Sequence, residues 1–244
     1  MSPHAPHSSH ASAGPPAPDA PPAPGPIAAV VFDLDGVLTD TETMWDAVRR
    51  GLAAEDGVPW PAGATEAMMG MSTPEWSRYM AETVGVRGDP AAVAERTIEA
   101  MAERYREHLP LMPGAVAAVE RLAAAFPLGL ASSSPRRLID TVLAELGVAD
   151  RFRATVSTEE VAAGKPAPDG YARACELLGV EPGRAVAIED SSNGVRSAAA
   201  AGMHVIVVPH DAFAVAEDAL ALADTRVRSL DEVTVDLVAG LGGR

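Results

Sequence analysis

Two aspartates, Asp33 and Asp35, stand one leucine apart at the end of an apolar run, in VVFDLDGVLTD (residues 30–40). Burying an ionised carboxylate is costly unless it is paired or bound to a metal. Two side by side also repel, so one resists ionising unless a cation lies nearby. A simple turn after a strand is the plain alternative, because Asp and Gly both favour turns. Farther along, Glu189 and Asp190 are adjacent in IEDSSNG, Ser132 and Ser133 open ASSSP, and Lys165 lies in GKPAPDG. Gathered in one crevice, four carboxylates and one ammonium leave about three negative charges. Unit charges 4 Å apart interact by roughly 4 kcal/mol at an effective dielectric of 20, so such a crevice demands a divalent cation. Hard oxygen ligands suit Mg²⁺ better than zinc. The cation, Lys165 and the free N–H groups at a serine-rich helix start would hold a phosphate. One aspartate would then be placed to attack and its neighbour to move a proton.

Lys165 is the only lysine: of 19 Lys and Arg residues, 18 are arginine. A compact ammonium and a planar guanidinium are not interchangeable at a tight site. A chain that uses arginine everywhere else therefore marks this position.

The elements that must gather these residues are legible as a repeating pattern. Short Val- and Ile-rich runs predict strands at 27–32, 127–131, 184–189 and 204–209, with a weaker one at 154–158 and another near Val227. Helical periodicity predicts helices at 114–125, 135–146, 168–179 and 192–201, the second with Ser134 as N-cap and Pro135 in first position. Strands apolar on both faces and alternating with helices imply an α/β fold, a parallel sheet with helices on both faces. In such sheets ligands bind beyond the carboxyl ends of the strands. Each candidate residue falls at such an end or in the loop beyond it.

Residues 44–108 carry helical periodicity without a convincing strand, far too long for a simple connection. They are read as a small α-helical cap domain inserted after the first strand. The core domain is then 27–43 plus 109–244. Trp45, Trp60 and Trp76 all lie in the insert and at least two of them are expected to form its little core, although a lid placed there would close over Asp33 and Asp35. Residues 1–26 hold nine of the 21 prolines and are read as a disordered Pro/Ala-rich tail, with His4, His7 and His10 solvated. No secretory signal is evident there.

Composition narrows the class of function. The 244 residues are 48% apolar and carry a net charge of -15 with no basic cluster. Nucleic acid and anionic membrane surfaces are thus poor partners, and no segment reaches membrane-spanning length. The lone cysteine, Cys175, excludes a disulfide framework and is expected in the core. A cytoplasmic, monomeric enzyme or binding protein acting on a small molecule is the expectation.

The four motifs DLDG, ASSS, GKPAPD and EDSSNG, in this order, resemble the haloacid dehalogenase-like superfamily over about residues 27–215, in its branch with a helical cap after the first strand. The resemblance implies a Rossmann-like core with a mobile cap. It implies Asp33 as nucleophile, forming an aspartyl-phosphate, and Asp35 as general acid and base. Ser132 and Lys165 would bind the phosphoryl group, with Ser133 beside them. Mg²⁺ would be held by the Asp33 carboxylate, the Asp35 backbone carbonyl and Asp190, with Glu189 in or next to its shell. True dehalogenases lack the second aspartate, so Asp35 speaks for phosphate esters.

The rival within the superfamily is a β-phosphoglucomutase, which shares all four motifs. Where mutases carry a histidine after the hinge, DTETMW has Trp45. Where they carry an arginine in the cap loop, GMSTPEW has Thr73, and the cap contains no lysine. The reading is a phosphatase acting on a small phosphorylated metabolite, a sugar or polyol phosphate, selected by cap residues Trp45, Thr73 and Trp76. A mutase and a catalytically silent phosphometabolite-binding protein remain the alternatives.

Overall fold

The structure, a computed structural model, describes residues 25–68, 71–210 and 214–243. Apart from residues 25 and 26, the proline-rich tail and its three histidines lie outside the described residues.

The first apolar run forms β1 (Ala29–Phe32), after which the chain leaves the sheet for a helical insertion. This consists of α1 (Glu42–Glu55), α2 (Ala64–Met68), α3 (Thr73–Arg78, prolonged by a wider turn at Tyr79–Val84) and α4 (Pro90–Glu107). Local chemistry sets their starts. Ser72 and Glu75 form a reciprocal capping box for α3, and Asp89 accepts from Ala92 N at 2.8 Å ahead of Pro90 in α4. Each satisfies backbone N–H groups that a helix start leaves free. Two narrow strands of chain join the insertion to the sheet: Asp40 N donates to Pro110 O and Met112 N to Leu38 O, both at 3.0 Å.

The chain then alternates: α5 (Ala115–Ala123), β2 (Leu128–Ser132), α6 (Arg136–Leu146), β3 (Phe152–Ser157), α7 (Asp169–Leu178), β4 (Ala185–Glu189), α8 (Ser192–Ala200), β5 (His204–Val207), α9 (Glu217–Leu220), β6 (Thr225–Arg226) and α10 (Val235–Leu241). The sheet order is β3-β2-β1-β4-β5-β6 with every pairing parallel. Side-chain alternation divides it into two apolar faces. Val30, Phe32, Leu128, Leu130, Val186 and Ile188 meet α5, α6 and α10 through Leu122, Leu138, Val142 and Val238. Ala29, Val31, Ala131, Ala187 and Val205 meet Tyr171, Ala174 and Cys175 of α7 and Val195 of α8. Burying each large aliphatic or aromatic side chain contributes roughly 1.5–3 kcal/mol, which makes the sheet a rigid mount for what lies at its edge.

Successive crossovers run from β1 toward β3 on one side and from β4 toward β6 on the other. The switch point therefore lies between β1 and β4, where the diverging connections open a crevice at the carboxyl edge. Asp33 follows the end of β1, and Glu189 and Asp190 fall at the end of β4.

One boundary departs from expectation. Pro135 has extended backbone (φ -54°, ψ 145°), so α6 begins at Arg136 with Pro135, not Ser134, preceding it. The Ser134 side chain instead reaches Asp35.

Candidate active site

Asp33 is 6% exposed and Glu189 is fully buried. The apolar strands carry both carboxylates inward, and one cation answers them. Lys165 Nζ donates to Asp33 Oδ1 at 2.7 Å and to Glu189 Oε1 at 2.6 Å, and lies 5.0 Å from the ring centre of Tyr171. Burial alone would depress this ammonium, but the Asp33 and Glu189 charges outweigh it and hold the pKa above the ordinary lysine value. Lys165 stays charged at neutral pH.

Glu189 has no free valence. Its Oε1 also accepts from Tyr171 OH at 2.8 Å. Its Oε2 accepts from Asp190 N, Ser191 N and Ser191 Oγ at 3.0, 3.1 and 3.0 Å. Asp190 is the opposite case: it is 8% exposed, and its buried Oδ1 has no hydrogen-bond partner among the described residues. Burial first, then the Glu189 and Asp33 charges, raise its pKa far above the usual carboxylate range. Burial likewise raises Asp33, against the pull of Lys165. Asp33, Glu189 and Asp190 each offer a carboxylate oxygen within 4.8 Å of the others. A hard divalent cation fits this donor set, because it would satisfy the orphaned Asp190 oxygen and cancel the repulsion that raises both pKa values.

Two glycines let these groups approach. Gly36 has φ +85°, and a Cβ there would overlap the Asp190 carboxylate; a Cβ on Gly194 would overlap the Glu189 carboxylate. Glu189 cannot swing aside, being held by five donors. Gly194→Ala is expected to destabilise the fold by at least about 2 kcal/mol through overpacking, read as a lowered urea midpoint with unchanged m-value.

Asp35 is held differently. Thr41 Oγ1 donates to its Oδ1 and Ser134 Oγ to its Oδ2, both at 2.6 Å. Neither serine-run neighbour does the same: Ser132 is buried and its Oγ accepts from Ser134 N at 3.0 Å, whereas Ser133 is exposed at the mouth. A cavity of about 140 Å³ opens above Asp35, lined by Ser133 and Ser134 from the sheet edge and by Glu42, Trp45, Arg49, Thr73 and Trp76 from the insertion. Trp45 and Trp76 do both things expected of them. Their rings pack at 5.8 Å in the core of the insertion and also wall the cavity. Trp60 packs half-buried against the same core and donates to Thr65 Oγ1 at 3.3 Å.

Four residues at the site carry no mark of it in the sequence motifs, Thr41, Glu42, Arg49 and Tyr171, and Ser134, expected as a helix cap, bonds Asp35 instead. For Glu42 and Arg49 a signal was present. With Trp45 they are spaced i, i+3, i+7, one face of a helix, and that face looks down on Asp35. Tyr171 resembles an ordinary core residue, and nothing local distinguishes it.

A family model for the haloacid dehalogenase-like hydrolases matches residues 27–202. The chain belongs to this family. Hexitol phosphatase B of Escherichia coli is 32% identical over 233 residues, covering 88% of this chain and 97% of that protein. Among solved structures, CbbY from Rhodobacter sphaeroides in complex with phosphate superposes with a TM-score of 0.75 at 26% identity, over 88% of this chain and 99% of that one. A β-phosphoglucomutase from Clostridium difficile gives 0.73 at 24% identity, over 89% and 97%, which speaks to the fold alone. No helix among the described residues is long and apolar enough to cross a membrane.

Proposed function

We propose that this chain is a Mg²⁺-dependent phosphatase that hydrolyses a sugar or polyol phosphate through an aspartyl-phosphate at Asp33. It is a phosphoric monoester hydrolase of its family. The observation that carries the reading is the pairing of two unlike aspartates over one crevice. Asp33 sits buried beside Lys165, with the orphaned Asp190 oxygen nearby, while Asp35 faces the cavity between two hydroxyl donors. A phosphorus atom brought to Asp33 finds a carboxylate oxygen for in-line attack, and Lys165 neutralises charge on the transferring oxygens. Asp35 lies on the cavity side, where it can protonate the leaving alcohol and later accept a proton from water. The hydroxyls of Thr41 and Ser134 orient its carboxylate for that work. Ser132 and Ser133 supply the phosphate-side wall.

The ion would be held by Asp33, Asp190 and the Asp35 carbonyl. Glu189, its oxygens filled by protein donors, acts from behind to fix Lys165 and the Asp190 backbone. When bound, Mg²⁺ supplies charge neutralisation between nucleophile and phosphate. Helices α1–α4 form the cap, and the stretches around residues 38–40 and 110–112 form its hinge.

The test is phosphate release from a panel of sugar and polyol phosphates with Mg²⁺ and with EDTA. Release that requires Mg²⁺ supports the reading, and no release from any ester refutes it. Mg²⁺ is also expected to raise the melting temperature, because it relieves the buried carboxylates. Asp190→Asn should abolish that rise. The same substitution should leave the metal-free protein no less stable than wild type, since burial and the Glu189 and Asp33 charges already disfavour the ionised form of Asp190 there.

A further inference from the structure

We infer that Arg49 and Glu42, on the cap helix α1, form a donor–acceptor clamp that reads the hydroxyl groups of the substrate's neutral polyol body. This rests on the phosphatase reading and narrows its substrate class. Successive arginines of α1 make the contrast. Arg50 points outward and is satisfied, donating to Asp46 Oδ2 at 2.7 Å and Thr65 Oγ1 at 3.0 Å. Arg49 points inward, is 7% exposed, and has its guanidinium 4.8 Å and 5.3 Å from the ring centres of Trp45 and Trp76. Among the described residues it makes no hydrogen bond or ion pair, and its Nε is buried without a partner. A buried guanidinium is ordinarily paired. One held between two aromatic rings, within reach of the Glu42 and Asp46 charges but bonded to neither, in the wall of a cavity over Asp35 is built for a ligand.

Glu42 decides which ligand. It lines the same cavity about two turns earlier on the same helical face and, like Arg49, makes no hydrogen bond among the described residues. A guanidinium only donates and a carboxylate only accepts, whereas a hydroxyl does both. Neighbouring hydroxyls on a carbon chain satisfy the two together. A second phosphate or carboxylate would meet Glu42 and Asp35 as well as Arg49, with no cation in excess. At about 30 Å³ per water, the cavity of about 140 Å³ has room for a short run of hydroxymethylene groups. The tryptophans offer such a chain apolar walls.

The experiment compares wild type, Arg49→Met, Arg49→Lys and Glu42→Gln on sorbitol phosphate and on phenyl phosphate, which lacks hydroxyls. Arg49→Met is expected to raise KM for sorbitol phosphate ten- to a hundredfold, the loss for a charged hydrogen bond being about that size. Its kcat/KM preference for sorbitol phosphate over phenyl phosphate should fall at least tenfold. Lysine should restore little of it, lacking the planar fork that stacks. Glu42→Gln should shift the preference in the same direction by less. Equal losses on both esters, or none, would overturn the inference in favour of a packing role. So would a wild-type preference for fructose bisphosphate that Arg49→Met removes, which would make Arg49 a distal-anion site. If the wild type hydrolyses neither ester, the phosphatase reading is judged on the full panel of sugar and polyol phosphates, and calorimetry of sorbitol phosphate against inorganic phosphate decides the clamp by itself. A tenfold loss confined to sorbitol phosphate in Arg49→Met supports it, and its absence overturns it.

Discussion

Asp33→Asn is expected to lower kcat by at least about a thousandfold on any ester the wild type hydrolyses, the scale on which loss of a nucleophile is felt. An amide nitrogen or oxygen cannot form and release the acyl-phosphate, and among the described residues no other side chain is positioned to replace it. Glu189 is saturated by Lys165, Tyr171, Ser191 and the Asp190 backbone, and Asp35 is turned toward Thr41 and Ser134. The substitution keeps the shape of the side chain and removes one of the mutually repelling buried charges, while Lys165 retains Glu189. The folded state should therefore survive, and the loss should appear in kcat with little change in melting temperature. A variant with near-normal turnover would refute the assignment of Asp33.

Lys165→Arg is expected to inactivate nearly as fully as Lys165→Ala. The ammonium is 8% exposed and bridges Asp33 and Glu189 at 2.7 and 2.6 Å, with the Tyr171 ring 5.0 Å away. A guanidinium keeps the charge, but it is larger and planar and presents its donors in a fixed fork. It cannot enter that space without displacing Asp33, and phosphoryl transfer depends chiefly on position. Losing one charged hydrogen bond alone costs about 1.5–3 kcal/mol, roughly ten- to a hundredfold. Lys165→Ala also leaves Asp33 and Glu189 to repel each other, so its melting temperature should fall as well. The measurement is kcat for the three proteins on one ester at saturating Mg²⁺, together with their thermal melts. Arginine within a few-fold of wild type would show that charge alone is required.

How much of this was legible in the sequence follows from which interactions are local. The sheet was legible because strands buried on both faces must be apolar throughout, as Val30–Phe32 and Val186–Ile188 are. Asp33, Asp35, Glu189 and Asp190 were legible because carboxylates straight after such strands have no cheap structural explanation. Lys165 was legible through its rarity. Ser134 was read as a helix cap because capping is the commonest local use of serine before a helix. Its actual partner, Asp35, is 99 residues away, and no local pattern encodes that. Arg49 was lost in the composition that exposed Lys165, one arginine among many, though its spacing from Glu42 and Trp45 put it on their face.

The central claim is that the phosphoryl group passes through Asp33, and trapping it there tests that claim most directly. A radiolabelled phosphate ester would be mixed with the Mg²⁺-loaded protein and quenched in acid within the first turnover. The expected result is label on the protein that neutral hydroxylamine releases, as it does from acyl-phosphates, and that maps to the peptide bearing Asp33. No such label should form on Asp33→Asn. Label of equal amount on Asp33→Asn, or mapped to another residue of the wild type, would contradict the account.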